Sequence, residues 1–201
     1  MTDESSSPFR PFRLGGLSLR NRVVKAATYE GMAPGGCVSE GLVEHHREVA
    51  AGGAAMTTVA YCSVTPDGRT FRDQLHMRPE LVPALAGLTG AVHREGAAAS
   101  LQLGHCGAFC NNHDLVRPRP IGPSRAFNAL GALSGRVLAD AMSEGDIEET
   151  TQAFVTAAKL AREAGFDAVE LHLGHGYLLS QFLCPATNRR RDAWGGSIEN
   201  R

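Results

Sequence analysis

Near its C-terminal end the chain reads His172-Leu-Gly-His175-Gly-Tyr177, two imidazoles and a phenol in one short run. An imidazole near neutral pH offers one donor and one acceptor nitrogen, and a phenol donates a proton or a hydrogen bond. Val169, Leu171 and Leu173 alternate with Glu170 and His172, so His172 is expected at the end of a strand with its ring on the polar face. A continuing strand would turn His175 to the opposite side. Gly174 and Gly176 let the backbone leave extended geometry there, so both rings could converge on one ligand. The same residues also fit a pair of loop histidines bonded to backbone carbonyls. Gln102 is a neutral amide at the end of another strand-like run, suited to a ring edge that presents donors and acceptors together, or equally to bonding its core neighbours. His105, Cys106, Cys110 and His113 form a second cluster. C-x-x-x-C is not a zinc-knuckle spacing and the histidines are irregularly placed, so no metal site is expected. Arg189, Arg190 and Arg191 read as a solvated loop, because no basic surplus surrounds them.

Positioning these groups requires a scaffold, and the sequence alternates strand-like and helical stretches. "FRLGGLSL" (Phe12–Leu19) reads as a hairpin turning at Gly15-Gly16. Four short β-like runs follow, Val23–Ala27, Met56–Tyr61, Ala98–Leu103 and Ala168–Leu173. Between them Glu40–Ala51, Leu81–Glu95 and Asp146–Ala164 have helical character. Ser143 with Asp146 forms a capping-box pattern, Ile147, Thr151, Phe154, Ala158 and Ala161 share one helical face, and Gly165 follows as a stop. Such alternation argues for a parallel sheet with helices outside it. An open doubly wound sheet is apolar on both faces, whereas here Leu101 and Leu103 oppose Ser100 and Gln102. No G-x-G-x-x-G follows the first strand. The pattern predicts a (β/α)8 barrel, with the candidate groups at the strand ends where barrels place their active face.

Composition sets the outer limits. The chain has 201 residues, 43% hydrophobic and 20% charged, with a formal net charge of −1. That charge gives no electrostatic argument for nucleic acid or an anionic membrane surface. No run approaches the ~18 apolar residues of a membrane span, and the N-terminus lacks the apolar core of a signal peptide. Five cysteines, an odd number without C-x-x-C spacing, suit free thiols in a reducing cytoplasm. The expectation is a cytoplasmic protein acting on a small molecule, possible as a homo-oligomer, in a single domain over 1–201 with a flexible tail at 1–10.

Taken together, the motifs resemble the Old Yellow Enzyme family of FMN-dependent NAD(P)H:flavin oxidoreductases and ene-reductases. The resemblance runs from about Phe9 to Arg201. It is carried by H-x-x-H-G-Y-L, QFL-x-P, N-x-R-x-D, W-GG-S and ENR in that order, with "LRNRVVKAAT", "TPDGR" and "LQLGHCG" upstream. The resemblance implies FMN across the mouth of the barrel and NAD(P)H as reductant. It makes His172 and His175 the anchors of a substrate acceptor group, and Tyr177 the proton donor to carbon. It places Gln102 on the pyrimidine edge of the flavin, and the backbone of Ala27 and Thr28, with Tyr29 and Tyr61, along the isoalloxazine ring. By ungapped count from Arg22, Tyr29 stands where the family carries Thr or Cys near the flavin C4 oxygen, with Thr28 one residue earlier.

Length departs from that family. Only four β/α-type strands are visible, whereas a (β/α)8 domain has eight and ~250 residues as a rule. The family's phosphate-binding loops come from strands seven and eight. The expectation is therefore the first half of a barrel, cut from a longer enzyme. Two other functions compete with a flavin oxidoreductase: a non-catalytic half-barrel that docks on a partner, and a metal-binding hydrolase using His172, His175 and His105.

Overall fold

The sheet that carries the candidate groups is built by strict alternation. In a computed structural model that describes residues 7–201, the hairpin comes first, β1 (Phe12–Leu14) and β2 (Leu17–Leu19) pairing antiparallel around Gly15 at φ 58°. Then follow β3 (Val24–Lys25), α1 (Glu40–Ala51), β4 (Met56–Ser63), β5 (Leu75–His76), α2 (Val82–Arg94) and β6 (Ala98–Gly104). Three short strands occupy the long connection after β6: β7 (Ile121–Gly122), β8 (Ala126–Phe127) and β9 (Leu138–Ala141). The chain continues through α3 (Glu144–Glu163), β10 (Ala168–Leu171) and α4 (Leu178–Leu183). Of the tail expected at 1–10, residues 1–6 lie outside the described residues. Arg10 N–H donates to Ser7 O, and Arg22 N–H to Pro8 O, which ties the chain down from Ser7 onward.

The main sheet has the order β3-β4-β6-β10, every neighbour parallel, with β5 extending from the end of β4. Consecutive parallel strands joined through helices on one side make an arc of a (β/α) barrel. Helices α1, α2 and α3 pack on its outer face, where Leu42, Val59, Leu85, Leu88, Val92, Leu101, Leu103 and Ala161 form the core. Between Val59 and Cys62 the β4–β6 register slips at a bulge, a device that re-aims strand-end side chains.

Several boundaries differ from the sequence expectation. The first strand is two residues rather than five, because Val24 and Lys25 alone find partners, in Met56 and Thr57 of β4. The last strand ends at Leu171, so His172 lies just past it, although its N–H still reaches Leu103 O at 2.9 Å. In α3 the capping box is complete: Ser143 Oγ accepts from Asp146 N–H at 3.1 Å, and Ser143 N–H donates to Asp146 Oδ2 at 2.8 Å. Thr151 is exposed instead of sharing the core face, which is centred on Ile147, Thr150, Ala157 and Ala161. Thr151 returns its hydroxyl to Ile147 O, a bond that suits a solvated helix position.

Two predictions follow from burial. First, burial holds the buried His105 down to about 4, with the Arg117 charge adding to the effect, and burial with Arg78 and Arg69 brings His76 to about 4. An unfolded histidine titrates near ~6.5, so the unfolded chain binds more protons between those values. Stability is fully present above pH 6.5 and is lost as pH falls toward 4. Urea midpoints measured across that range should decline with acidification, and less steeply in His105→Gln. Second, β10 is an edge whose Val169 and Leu171 are 43% and 52% exposed, with Leu173 just past it 48% exposed. Unpaired edges and apolar patches invite association, so residues 1–201 expressed alone should self-associate, which light scattering after gel filtration would read as a mass above 21.3 kDa.

Candidate active site

At the C-terminal ends of the parallel strands the chain leaves β10 through a strained loop. His175 has φ 57°, the only positive φ outside glycine among the described residues, and Gly176 follows at φ 67°. This left-handed pair reverses the backbone within two residues. It sets the His172 and His175 rings 4.9 Å apart, with His172 Nε2 3.0 Å from His175 Nδ1. Gly174 has no side chain because a Cβ there would press on the His172 ring, at 3.2 Å from Cε1. The sequence expectation was convergence of both rings on a third group. The structure brings the two rings together, bonded to each other at 3.0 Å.

Tyr177 caps α4 directly behind the histidines. Its ring meets His172 edge-on at 5.1 Å, Tyr61 at 5.5 Å and Phe109 at 6.4 Å. Tyr61 in turn lies 5.8 Å from His172 and donates its hydroxyl to Gly68 O at 2.8 Å. Gly104 makes this possible, since a Cβ there would overlap the Tyr61 ring. Ala27 packs against the same cluster of Ala60, Tyr61, Cys106, Cys110 and Tyr177. The structure thus gathers His172, His175, Tyr177, Tyr61 and Ala27.

The remaining candidates sit around this cluster. Gln102 is buried and donates to Glu170 Oε1 at 2.6 Å across the β6–β10 pair, on the face opposite the helices. Thr28 is exposed and its hydroxyl turns back to Ala26 O. Tyr29 is 46% exposed, stacks on Phe71 at 6.0 Å and reaches Asp73 O at 3.4 Å, so it forms a rim. His105 stays apart from the histidine pair; its Nδ1 accepts from Gly107 N–H at 2.9 Å, and His113 is exposed.

Four contributors went unnoticed in the sequence. Gln181 binds the two strand-end loops together: its amide donates to Cys106 O at 3.1 Å and Gly176 O at 2.6 Å, and accepts from Ala108 N–H at 3.0 Å. The Q of QFL-x-P was the available signal. Lys25 and Glu30 close the segment 26–29 with an ion pair of 2.6 Å. His46 of α1 stands 3.3 Å from Glu30 Oε1, off the line of a full hydrogen bond, and 2.7 Å from Thr57 Oγ1. Glu30, His45 and His46 bring possible ligand atoms within 4.8 Å of one another, but the Lys25 ammonium already supplies the positive charge there.

Electrostatics favour neutral groups. Burial lowers His172, with His175 adding to it and Glu170 opposing, so His172 is neutral at pH 7. Burial raises Tyr177, eased by the neighbouring Thr70 hydroxyl, so its phenol keeps its proton. Ala27, Ala60, Tyr61 and Tyr177 pack as one cluster beside the histidine pair, the Tyr61 and Tyr177 rings meeting edge-on at 69°.

Known proteins point the same way. Residues 7–201 match the model of the NADH:flavin oxidoreductase / NADH oxidase family. The chain is 48% identical over 202 residues to 4,4'-dithiodibutanoate disulfide reductase of Rhodococcus erythropolis, covering 100% of this chain and 48% of that protein. It is 35% identical to the probable NADH-dependent flavin oxidoreductase YqiG of Bacillus subtilis (strain 168), covering 96% of this chain and 51% of the relative. Among solved structures, morphinone reductase in complex with tetrahydroNAD superimposes with a TM-score of 0.85 at 28% identity, over 96% of this chain and 56% of the other. Old Yellow Enzyme from Pichia sp. AKU4542 does so at 0.86 and 27%, over 96% and 52%. The chain spans about half the length of the curated relatives it matches. It belongs to the NADH:flavin oxidoreductase / NADH oxidase family, and its four-stranded arc is the corresponding part of the Old Yellow Enzyme barrel.

Proposed function

We propose that this chain forms the substrate-facing part of an FMN-dependent oxidoreductase that passes hydride from NAD(P)H to an electron-poor alkene or a related small-molecule acceptor. The observation that carries the reading is the histidine pair, bonded at 3.0 Å with His172 neutral, beside the edge-on rings of Tyr61 and a protonated Tyr177. When bound, FMN supplies the two-electron chemistry that protein side chains lack. Ala27, the backbone of Thr28, Tyr29 and Tyr61 would hold its ring, and Gln102 its pyrimidine edge.

The chain's own groups then have distinct tasks. The histidine pair binds the carbonyl or equivalent acceptor atom of the substrate. As that atom gains negative charge, a neutral N–H aimed at it stabilises the charge without prior desolvation of a cation. Tyr177 holds a proton at its phenol oxygen for the substrate carbon beside the activating group. Buried Tyr61 and half-buried Phe109 pack against Tyr177 and fix its ring, so the proton is presented at one place.

A second acceptor class has its own support. The relative at 48% identity is a disulfide reductase. A disulfide would take the same two electrons, its S–S bond breaking to two thiols with protons supplied from the site or solvent. Steady-state assays of the intact protein on an enone and on a dithiodialkanoate, side by side, separate the two classes.

Removing one positioned donor costs about 10²–10³ in rate at comparable sites. His172→Ala and His175→Ala in the intact protein should therefore lower the oxidative half-reaction by that order and weaken phenol binding, while NAD(P)H still reduces the flavin. Stopped-flow absorbance on both half-reactions checks this; unchanged alkene reduction in both variants would remove the anchors. Tyr177→Phe should slow alkene reduction by about 10²–10⁴ and leave quinone reduction and flavin content nearly intact. Equal losses on alkene and quinone would make the phenol a packing group only.

A further inference from the structure

Behind Tyr177 lie two thiols that the proposed chemistry leaves unused. Cys106 and Cys110 are both fully buried on the loop after β6. Phe109 N–H donates to Cys106 O, and Gly107 takes φ 65°, so the chain turns on itself between them. Both thiols point at one carbonyl: Arg69 O is 3.5 Å from Cys106 Sγ and 3.4 Å from Cys110 Sγ. Sharing that acceptor places the two sulfurs beside each other.

The two are not equivalent. Asn112 N–H donates to Cys110 Sγ at 3.4 Å, and the Arg136 charge acts on the same sulfur. Two buried donors of these residues, Asn112 Nδ2 and Arg136 Nε, have no hydrogen-bond partner, so the pocket around Cys110 has donors to spare. The adjacent Cys106 thiol and the Asn112 N–H lower the Cys110 thiol despite burial, whereas burial pushes Cys106 well above its own value. A sulfur that accepts a backbone N–H beside one that only donates to carbonyls is the pairing of an attacking and a resolving cysteine. The other three lack it. Burial pushes Cys62 up to about 12, and Cys37 and Cys184 are exposed and free.

We propose that Cys106 and Cys110 are a redox-active dithiol, which a small hydroperoxide oxidises to an intramolecular disulfide. Burial sets the class of oxidant: hydrogen peroxide is the size of two oxygen atoms, whereas a bulky disulfide could not approach either sulfur. The Cys110 thiolate attacks one peroxide oxygen, an S–O bond forms, the O–O bond breaks, and hydroxide leaves to take up a proton as water. The Cys106 sulfur then attacks the Cys110 sulfenic acid. The S–S bond forms, the S–O bond breaks, and the Cys106 proton departs with the oxygen as a second water. Two thiols have lost two electrons and two protons, and the peroxide has gained them.

Closure would reach the candidate active site. A disulfide has no S–H, so both bonds to Arg69 O vanish. The same segment accepts the Tyr61 hydroxyl at Gly68 O, and Thr70 adjoins the Tyr177 phenol. The cluster behind the histidines would therefore relax on oxidation.

The test treats the full chain, reduced and freed of reductant, with hydrogen peroxide, blocks remaining thiols with iodoacetamide, and maps the peptides by mass spectrometry. The expected product is a peptide carrying both Cys106 and Cys110, lighter by two hydrogens and unalkylated, formed faster in the folded chain than in urea. Cys106→Ser should leave a sulfenic acid on Cys110 that dimedone traps; Cys110→Ser should give no comparable adduct on Cys106. Recovery of both thiols alkylated while Cys37 and Cys184 oxidise would overturn the proposal. So would equal rates in folded and unfolded chain, a measurement on the unmodified sequence that stands even if a variant fails to fold.

Discussion

A single primary amide makes the strand-end region one body. Gln181 sits in the first turn and a half of α4, and its side chain spans from Gly176 O, next to the histidines, to Cys106 O and Ala108 N–H after β6. Gly107 yields the space, since any Cβ there would collide with the amide. Leu178 N–H adds a parallel link to His105 O at 2.9 Å. Two loops from different strands thus share donors and acceptors that would otherwise be buried unpaired, and an unpaired buried polar group costs about 1–3 kcal/mol. The amide thereby ties the loop that carries His175 and Tyr177 to the loop after β6.

At the other side of the mouth a buried charge plays the comparable part. Burial pushes Glu30 up, yet the nearby His46 ring and the Lys25 ammonium outweigh it and hold its carboxyl below the usual range. Glu30 therefore remains ionised and gathers Lys25 of β3, His46 of α1 and the Ala60 N–H of β4 around one carboxylate. Removing one member of such a set strands a charge in the interior, which is costly, whereas the set as a whole gains little over apolar packing. Its effect is on geometry: the stretch from Ala26 to Tyr29 is closed at both ends.

The sequence made the scaffold legible where a periodic signal was long. Helix α1 begins and ends where the pattern puts it, and α3 carries its complete capping box at Ser143. Strand β3 was overread because its apolar residues suggested pairing that only Val24 and Lys25 achieve. The strands β5, β7, β8 and β9 were missed, since two- to four-residue strands leave no periodicity to detect. At the site, residue type and spacing marked His172, His175 and Tyr177. They did not disclose that the imidazoles bind each other, which follows from φ 57° at His175, or that a distant glutamine anchors the loop. Local sequence encodes turn chemistry, while contacts across 70 residues, such as Gln181 to Cys106, are encoded only through the fold.

The imidazole–imidazole bond has a consequence for recognition. When both rings are neutral they carry two protons on four nitrogens, and one proton is committed to the 3.0 Å bridge. If His172 donates across it, His175 must hold its single proton on Nε2 and present a donor outward. If His175 donates, its Nε2 is bare and accepts, while the spare proton moves to His172 Nδ1. Reversing the bridge therefore converts the exposed His175 nitrogen from donor to acceptor without moving an atom heavier than hydrogen. The same cleft can greet a carbonyl oxygen in one state and a hydroxyl or amine hydrogen in the other, an ambivalence that a lysine or an arginine, donor in every state, could not offer.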